Sequence, residues 1–261
     1  MSKISTKKEY ADLLIDAYVN NNLLANDTTC EEITSPEEAY SFVYDYMIPA
    51  RASLGESVLG YKIAAAAKKA QETFGVDEPI YGAIISKEPS KNIELSNINA
   101  PMVEPELVFT AKEDINPEWA KDPKELIKHF DISVGIEIPD GRFKDGNGKV
   151  SGIQYISDFG FARYGFKAQP VVLGYDEIAE VKGELFLNGE LIGEGHSKFF
   201  GEHPADTLAW LITKLDQHKT TLKKGQYVFT GSFIVPVPLT DKPGTYEAKF
   251  DHFGSCTFEV V

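Results

Sequence analysis

The sequence predicts an α+β fold in which helices gather near the amino terminus and a mostly β body follows. Two observations carry this: apolar residues recur at helical spacing as far as about residue 60, and beyond residue 80 short alternating or β-branched runs are broken by Gly, Asn, Asp and Pro. A third is local. Asn188-Gly189 sits between two such runs, and that dipeptide supplies the positive φ angles of a type I′ hairpin turn.

The first helix is expected where Ile4, Tyr10, Leu13, Leu14 and Tyr18 recur, and the second where Ala39, Phe42, Val43, Tyr46 and Met47 do the same. Ser35-Pro36-Glu37-Glu38 marks the second start: a hydroxyl cap, a proline at the first helical position, and a glutamate that can bond back to the cap. Residues 1–60 are therefore read as a helical subregion and 61–261 as one β-rich body. A helix interrupts that body after Pro204, where Ala205, Leu208, Leu211, Ile212 and Leu215 form one apolar stripe. A shorter one is expected from Pro123 to His129 with Asp122 as its cap. The Lys144–Lys149 stretch reads as a loop, and residues 226–261 as several strands.

The chain of 261 residues is long enough for a sizeable core. Lys and Arg total 26 against 40 Asp and Glu, a formal net charge of −14 that argues against a nucleic-acid partner, because a polyanion would be repelled. No apolar run is long enough for a signal peptide core or a bilayer span, so a cytoplasmic protein with no membrane partner is expected. Cys30 and Cys256 form no CxxC unit, which points to reduced thiols rather than a disulfide or thiolate metal site. A nucleophile elbow, a phosphate-cradling loop ending in Lys-Ser or Lys-Thr, and a dinucleotide fingerprint are all absent from the sequence.

The chemistry concentrates in three acids. In Pro101–Phe109 a strand's period of two puts Glu104 and Glu106 on one face. In Ile132–Ile138 the even positions are bulky and apolar, while the other face carries Ser133, Gly135 and Glu137, leaving room for a ligand beside Glu137. Three carboxylates suit a hard cation, Mg²⁺ or Mn²⁺ rather than Zn²⁺. Arg142 and Arg163 have the forked geometry to bind a substrate carboxylate or to hold a loop carboxylate. His203, just before Pro204, reads as a helix cap, and the aromatic run Tyr155, Phe159, Phe161, Tyr164 and Phe166 reads as packing under a loop.

The order Gly60-Tyr61-Lys62, Gly75-Val76-Asp77-Glu78-Pro79, Glu104-x-Glu106, Glu137-Ile138-Pro139-Asp140-x-Arg142, His203-Pro204 and Thr230-Gly231-Ser232 resembles the 2-keto-4-pentenoate hydratase and 4-oxalocrotonate decarboxylase family of the fumarylacetoacetate hydrolase superfamily. The likeness runs from residue 60 to the end. It implies a mixed β-roll body of the fumarylacetoacetate hydrolase type with an N-terminal helical region, commonly assembled as a homo-oligomer. It also implies Mg²⁺ or Mn²⁺ held by Glu104, Glu106 and Glu137, Lys62 as a catalytic group beside the substrate, and Asp140, Arg142 and Ser232 as substrate contacts. The substrate implied is a short unsaturated 2-oxo acid of aromatic catabolism, to which a hydratase adds water through a metal-bound enolate.

A decarboxylase would lose carbon dioxide from the same site. That rival is favoured by Ile80, which follows Pro79 where hydratases often carry an acid. Two further departures are Gly141 in place of the usual serine and Ser157-Asp158-Phe159 in place of Asp-Asn. A third reading is a non-catalytic relative that binds the 2-oxo acid without turning it over.

Overall fold

The computed structural model describes residues 3–87, 92–145, 150–197, 203–251 and 253–261. The expected loop at Lys144–Lys149 falls partly outside them, at residues 146–149. The chain opens with β1 (Lys3–Ile4), α1 (Lys7–Asn20), β2 (Thr29–Cys30), α2 (Pro36–Phe42) and α3 (Ile48–Ser53), α2 and α3 being joined by a π-helical turn over Val43–Met47. It continues through β3 (Ser57–Ala64), α4 (Lys68–Phe74), β4 (Ile80–Ser86), β5 (Asn92–Ile93), β6 (Met102–Ala111), α5 (Pro123–Leu126) and β7 (Phe130–Ile138). The rest comprises α6 (Gly152–Ser157), β8 (Tyr164–Lys167), α7 (Tyr175–Ile178), β9 (Lys182–Leu187), β10 (Glu190–His196), α8 (Pro204–Gln217), β11 (Tyr227–Phe229), β12 (Val237–Pro238), β13 (Gly244–Phe250) and β14 (Gly254–Val260).

Helix starts follow the local chemistry. Thr6 caps α1 with a full capping box to Glu9, and Ser35 caps α2 by accepting from the Glu38 N–H. Two details differ from the sequence reading. Glu38 reaches back to the N–H and hydroxyl of Thr34, not to Ser35, because the chain entering the helix brings Thr34 within 2.7 Å. Ile4 is not helical: it pairs in parallel with Cys30, and the helix begins only after Thr6. The Asn188-Gly189 turn has φ of 51° and 86°, as the hairpin requires, and joins β9 to β10 in antiparallel register.

Two larger sheets form the body. One runs β4-β3-β11-β6-β7-β8 with β12 alongside β6, and the other β10-β9-β13-β14-β5. Both are mixed: β3 with β11 and β14 with β5 are parallel, the other pairs antiparallel. The sheets pack face to face, for instance through Phe166 stacked on Phe258 at 4.7 Å. The α+β β-roll expectation is borne out. One continuous core runs from Tyr10, Leu14 and Phe42 of the helical segment through Phe109, Val134 and Phe229 to Phe250 and Val260.

Strands β6 and β7 are the centre of this arrangement, and both are buried along nearly their whole length. Gly135 lets β7 lie there: a methyl group built on it would stand 2.5 Å from the Phe166 carbonyl oxygen and from the Val108 side chain. Gly135→Ala is therefore expected to destabilise the fold by about 1–3 kcal/mol through overpacking. Denaturant unfolding measures this, and a loss below a few tenths of a kcal/mol would contradict the packing described.

Candidate metal centre

The antiparallel register of β6 and β7 sets Glu104 directly opposite Glu137 and Glu106 opposite Gly135. The strand period then brings all three acids to one face, and one carboxylate oxygen from each lies within 4.8 Å of the others. Glu106 and Glu137 are buried and Glu104 is half-buried. Gly231, just past β11, donates its N–H to Glu106 Oε2 at 2.7 Å. Lys62 reaches in from β3 and donates from Nζ to Glu137 Oε2 at 3.1 Å and to the Tyr155 hydroxyl at 3.3 Å. Lys62 is only 1% exposed, so this ammonium is deeply desolvated.

Charge does not balance among these groups. Burial pushes all three carboxyls upward: Glu137 to about 8, Glu104 upward, and Glu106 well above its ordinary range with further help from the Glu104 and Glu137 charges. Burial alone would lower Lys62, but Glu137, Tyr155 and the other two glutamates hold it well above its usual value, as an ammonium. One cation thus faces three acids, and Glu137 Oε1 is buried with no hydrogen-bond partner. An orphaned carboxylate oxygen beside two more carboxylates is the donor set a hard divalent cation takes. Among the described residues this is the one acidic cluster that could hold a metal ion.

Of the three acids, Glu104 lines a cleft of about 370 Å³. Lys62, Glu104, Tyr155, Gly231 and Ser232 supply its polar groups, and Ala67, Phe74, Met102 and Val235 are part of its apolar wall. Of the remaining residues singled out from sequence, Ser232 lines the cleft, its hydroxyl donating to the Ile234 carbonyl at 3.0 Å.

Asp140 and Arg142 do not line the cleft. Asp140 accepts from the Asn99 and Ala100 N–H groups at 3.1 and 2.9 Å. Arg142 is engaged with Asp158 through its backbone N–H at 2.8 Å and its Nε at 2.6 Å, and with the Asp140 carbonyl at 2.8 Å. A buried guanidinium so satisfied is held by its partner, and the pair braces the chain after β7 against the end of α6. The altered Ser157-Asp158-Phe159 segment is thus the source of Arg142's counter-ion.

Ile80 is not among the residues that line the cleft. It is buried in β4 and pairs with Ala64. His203 caps α8 through Nδ1, accepting from the Ala205 N–H, and stacks on Tyr175. Phe159 and Phe161 are packed in the core, but Tyr155 lines the cleft. That role was hidden by the aromatic run around it. A local signal exists: Ser151-x-x-Gln154 is a capping box, and the short helix it starts carries Tyr155 to Lys62. The Gly231 N–H was also missed, since backbone donors leave no residue signature.

The fold is shared with solved proteins of the fumarylacetoacetate hydrolase type, and the three acids form a cluster that could hold a metal ion. No family model matches the chain. Its curated homologues carry hydratase names, as the resemblance read from the sequence implies. A 2-keto-4-pentenoate hydratase of Burkholderia vietnamiensis is 27% identical over 210 residues, spanning 78% of this chain and 79% of that protein. A 2-hydroxyhexa-2,4-dienoate hydratase of Comamonas testosteroni is 23% identical over 234 residues, spanning 86% of each. Among solved structures, 4-oxalocrotonate decarboxylase from Pseudomonas putida G7, complexed with magnesium and adipate, superposes over 100% of both chains with a TM-score of 0.82 at 17% identity. Fumarylpyruvate hydrolase from Pseudomonas aeruginosa, in complex with Mn²⁺ and pyruvate, gives 0.51 at 15% identity, covering 77% of this chain and 88% of that one. No described helix is long and apolar enough to cross a membrane.

Protons and a divalent cation compete for these acids. A carboxyl raised by folding favours the folded state below its unfolded value near 4.5, and that contribution is lost as pH climbs to about 8 for Glu137. The metal-free protein should therefore lose stability from pH 5 to pH 8, while the rise in melting temperature on adding Mn²⁺ grows over the same interval. Thermal melts across that range, with Mn²⁺ and with chelator, measure both. A Mn²⁺ shift that is flat with pH would contradict the assignment.

Proposed function

We propose that this protein is a divalent-metal-dependent lyase that adds water to a short unsaturated 2-oxo acid, as a 2-keto-4-pentenoate hydratase does. The observation that carries the reading is the buried convergence of Glu104, Glu106 and Glu137, with Glu137 Oε1 unpartnered and Lys62 as its cationic neighbour. The homologues bearing hydratase names support the same conclusion. As part of this reading, the enzyme works in the cytoplasm and, as members of the family it resembles commonly do, assembles as a homo-oligomer.

Glu104, Glu106 and Glu137 would hold Mg²⁺ or Mn²⁺. When bound, the ion supplies positive charge that offsets the substrate carboxylate and polarises its 2-oxo group, an effect worth several kcal/mol at the transition state. Lys62 is the catalytic group of this chain. Its ammonium stands beside the oxygen that gains charge as the enolate forms, and its Nζ carries a proton that can be passed to carbon. In hydration the water oxygen bonds to the alkene carbon remote from the carbonyl and the π pair moves toward the carbonyl; the neighbouring carbon takes a proton from Lys62 Nζ, and the proton that the water gives up returns to that nitrogen. The Gly231 N–H holds one oxygen of Glu106, which would leave the other for the ion, and the apolar wall of Phe74, Met102 and Val235 accommodates the hydrocarbon end of the substrate.

Decarboxylation is the second reading. It is favoured by the superposition over the full length of both chains with 4-oxalocrotonate decarboxylase.

The two outcomes separate in one assay. With Mg²⁺ or Mn²⁺ the hydratase reading predicts loss of dienoate absorbance from 2-hydroxyhexa-2,4-dienoate or 2-keto-4-pentenoate, and no carbon dioxide from 4-oxalocrotonate. Glu106→Gln should weaken metal binding at least tenfold and lower kcat/KM at least a hundredfold. Carbon dioxide release would establish the decarboxylase instead. Binding of pyruvate without turnover of any substrate in the panel would establish the non-catalytic reading, and unchanged metal affinity in Glu106→Gln would remove the site.

A further inference from the structure

Lys62 and Tyr155 meet on the cleft wall, and the hydrogen bonding between them leaves donors to spare. Lys62 Nζ donates to Glu137 Oε2 at 3.1 Å and to Tyr155 Oη at 3.3 Å. An ammonium has three donors and no acceptor, so one N–H remains. A phenol that receives a hydrogen bond can use its own hydrogen only toward another acceptor, and no described residue accepts it. The other cleft hydroxyl, Ser232, turns back on its own loop at Ile234.

The ring of Tyr155 is held in place. It stacks on Phe74 at 4.5 Å and leans on Phe161 at 4.7 Å, at the end of α6. Both remaining donors, one N–H and one O–H, thus belong to fixed side chains that line the same cleft as Glu104.

We propose that Tyr155 is a second catalytic hydrogen-bond donor of this site, acting with Lys62 to hold the substrate oxygen that gathers negative charge as a 2-oxo acid becomes its enolate. The inference rests on the lyase reading above and adds a residue to it. Donors fixed before the reaction and shielded from water stabilise a developing oxyanion strongly, and removing one such donor costs roughly 10²–10³ in kcat. Tyrosine suits the task because burial raises its phenol to about 12, which keeps the proton on oxygen at neutral pH.

Tyr155→Phe removes the hydroxyl and keeps the ring on Phe74. Calorimetric titration of the Mg²⁺-loaded wild type and variant with oxalate, which mimics the enolate of pyruvate, and with pyruvate itself is the direct test, alongside thermal melting and turnover of 2-keto-4-pentenoate. The expected result is an unchanged melting temperature, oxalate affinity reduced at least tenfold, pyruvate affinity reduced by less than threefold, and kcat reduced about a hundredfold. Equal losses for the two ligands, or none, would overturn the proposal. Should the variant melt early, 3-fluorotyrosine in place of Tyr155 keeps the shape and strengthens the donor. Oxalate must then bind more tightly than to wild type, and unchanged or weaker binding counts against the proposal. If wild type binds and turns over these ligands but Tyr155→Phe behaves like it, this inference alone falls. If wild type does neither, the lyase reading falls and takes the inference with it.

Discussion

Everything at this site depends on one cross-strand pair. Glu104 and Glu137 lie directly opposite each other on β6 and β7, where like charges repel, and Glu106 adds a third acid two residues along the same face. Exposed strands relieve such crowding with water. Here two of the three acids are buried, so the strain is met only by protonation, by the Lys62 ammonium, or by a divalent cation. The fold thereby gathers three acids that could hold a cation on two of its most buried strands.

The rest of the architecture serves that pair. Parallel pairing of β3 with β11 brings Lys62 level with Phe229, close to the turn that delivers the Gly231 N–H to Glu106. Gly135 stands opposite Glu106 and lacks the side chain that would collide with the Phe166 carbonyl, Val108 and Phe229, which lets β8 and β11 pack closely there. Behind the site, Arg142 and Asp158 tie the end of α6 to the chain after β7. The residue that meets Lys62, Tyr155, is carried on that same short helix.

Much of this was legible in the sequence where a local rule governs. Glu104 and Glu106 share a face by strand periodicity alone, the Asn188-Gly189 hairpin follows from turn chemistry, and α8 follows from its stripe and its His203-Pro204 start. The meeting of Glu137 with Glu104 is different, because register between strands is a tertiary property. Apart from the family resemblance, only the bulk-free face around Gly135 hinted at it. Asp140 and Arg142 show the limit from the other side: a motif places them near the site, but whether a buried arginine faces a ligand or an aspartate depends on what packs opposite, here Asp158. Tyr155 was hard to single out for the same reason: the Ser151-x-x-Gln154 capping box marks its helix, but not which of five aromatics turns toward a lysine.

The central claim is that the three glutamates share one divalent ion. Anomalous diffraction from crystals soaked in Mn²⁺ tests it most directly. The account predicts a single strong peak about 2.1–2.3 Å from a carboxylate oxygen of each of Glu104, Glu106 and Glu137, a separation typical of a hard divalent cation on oxygen ligands. A peak elsewhere, or none between these acids at saturating Mn²⁺, would contradict it.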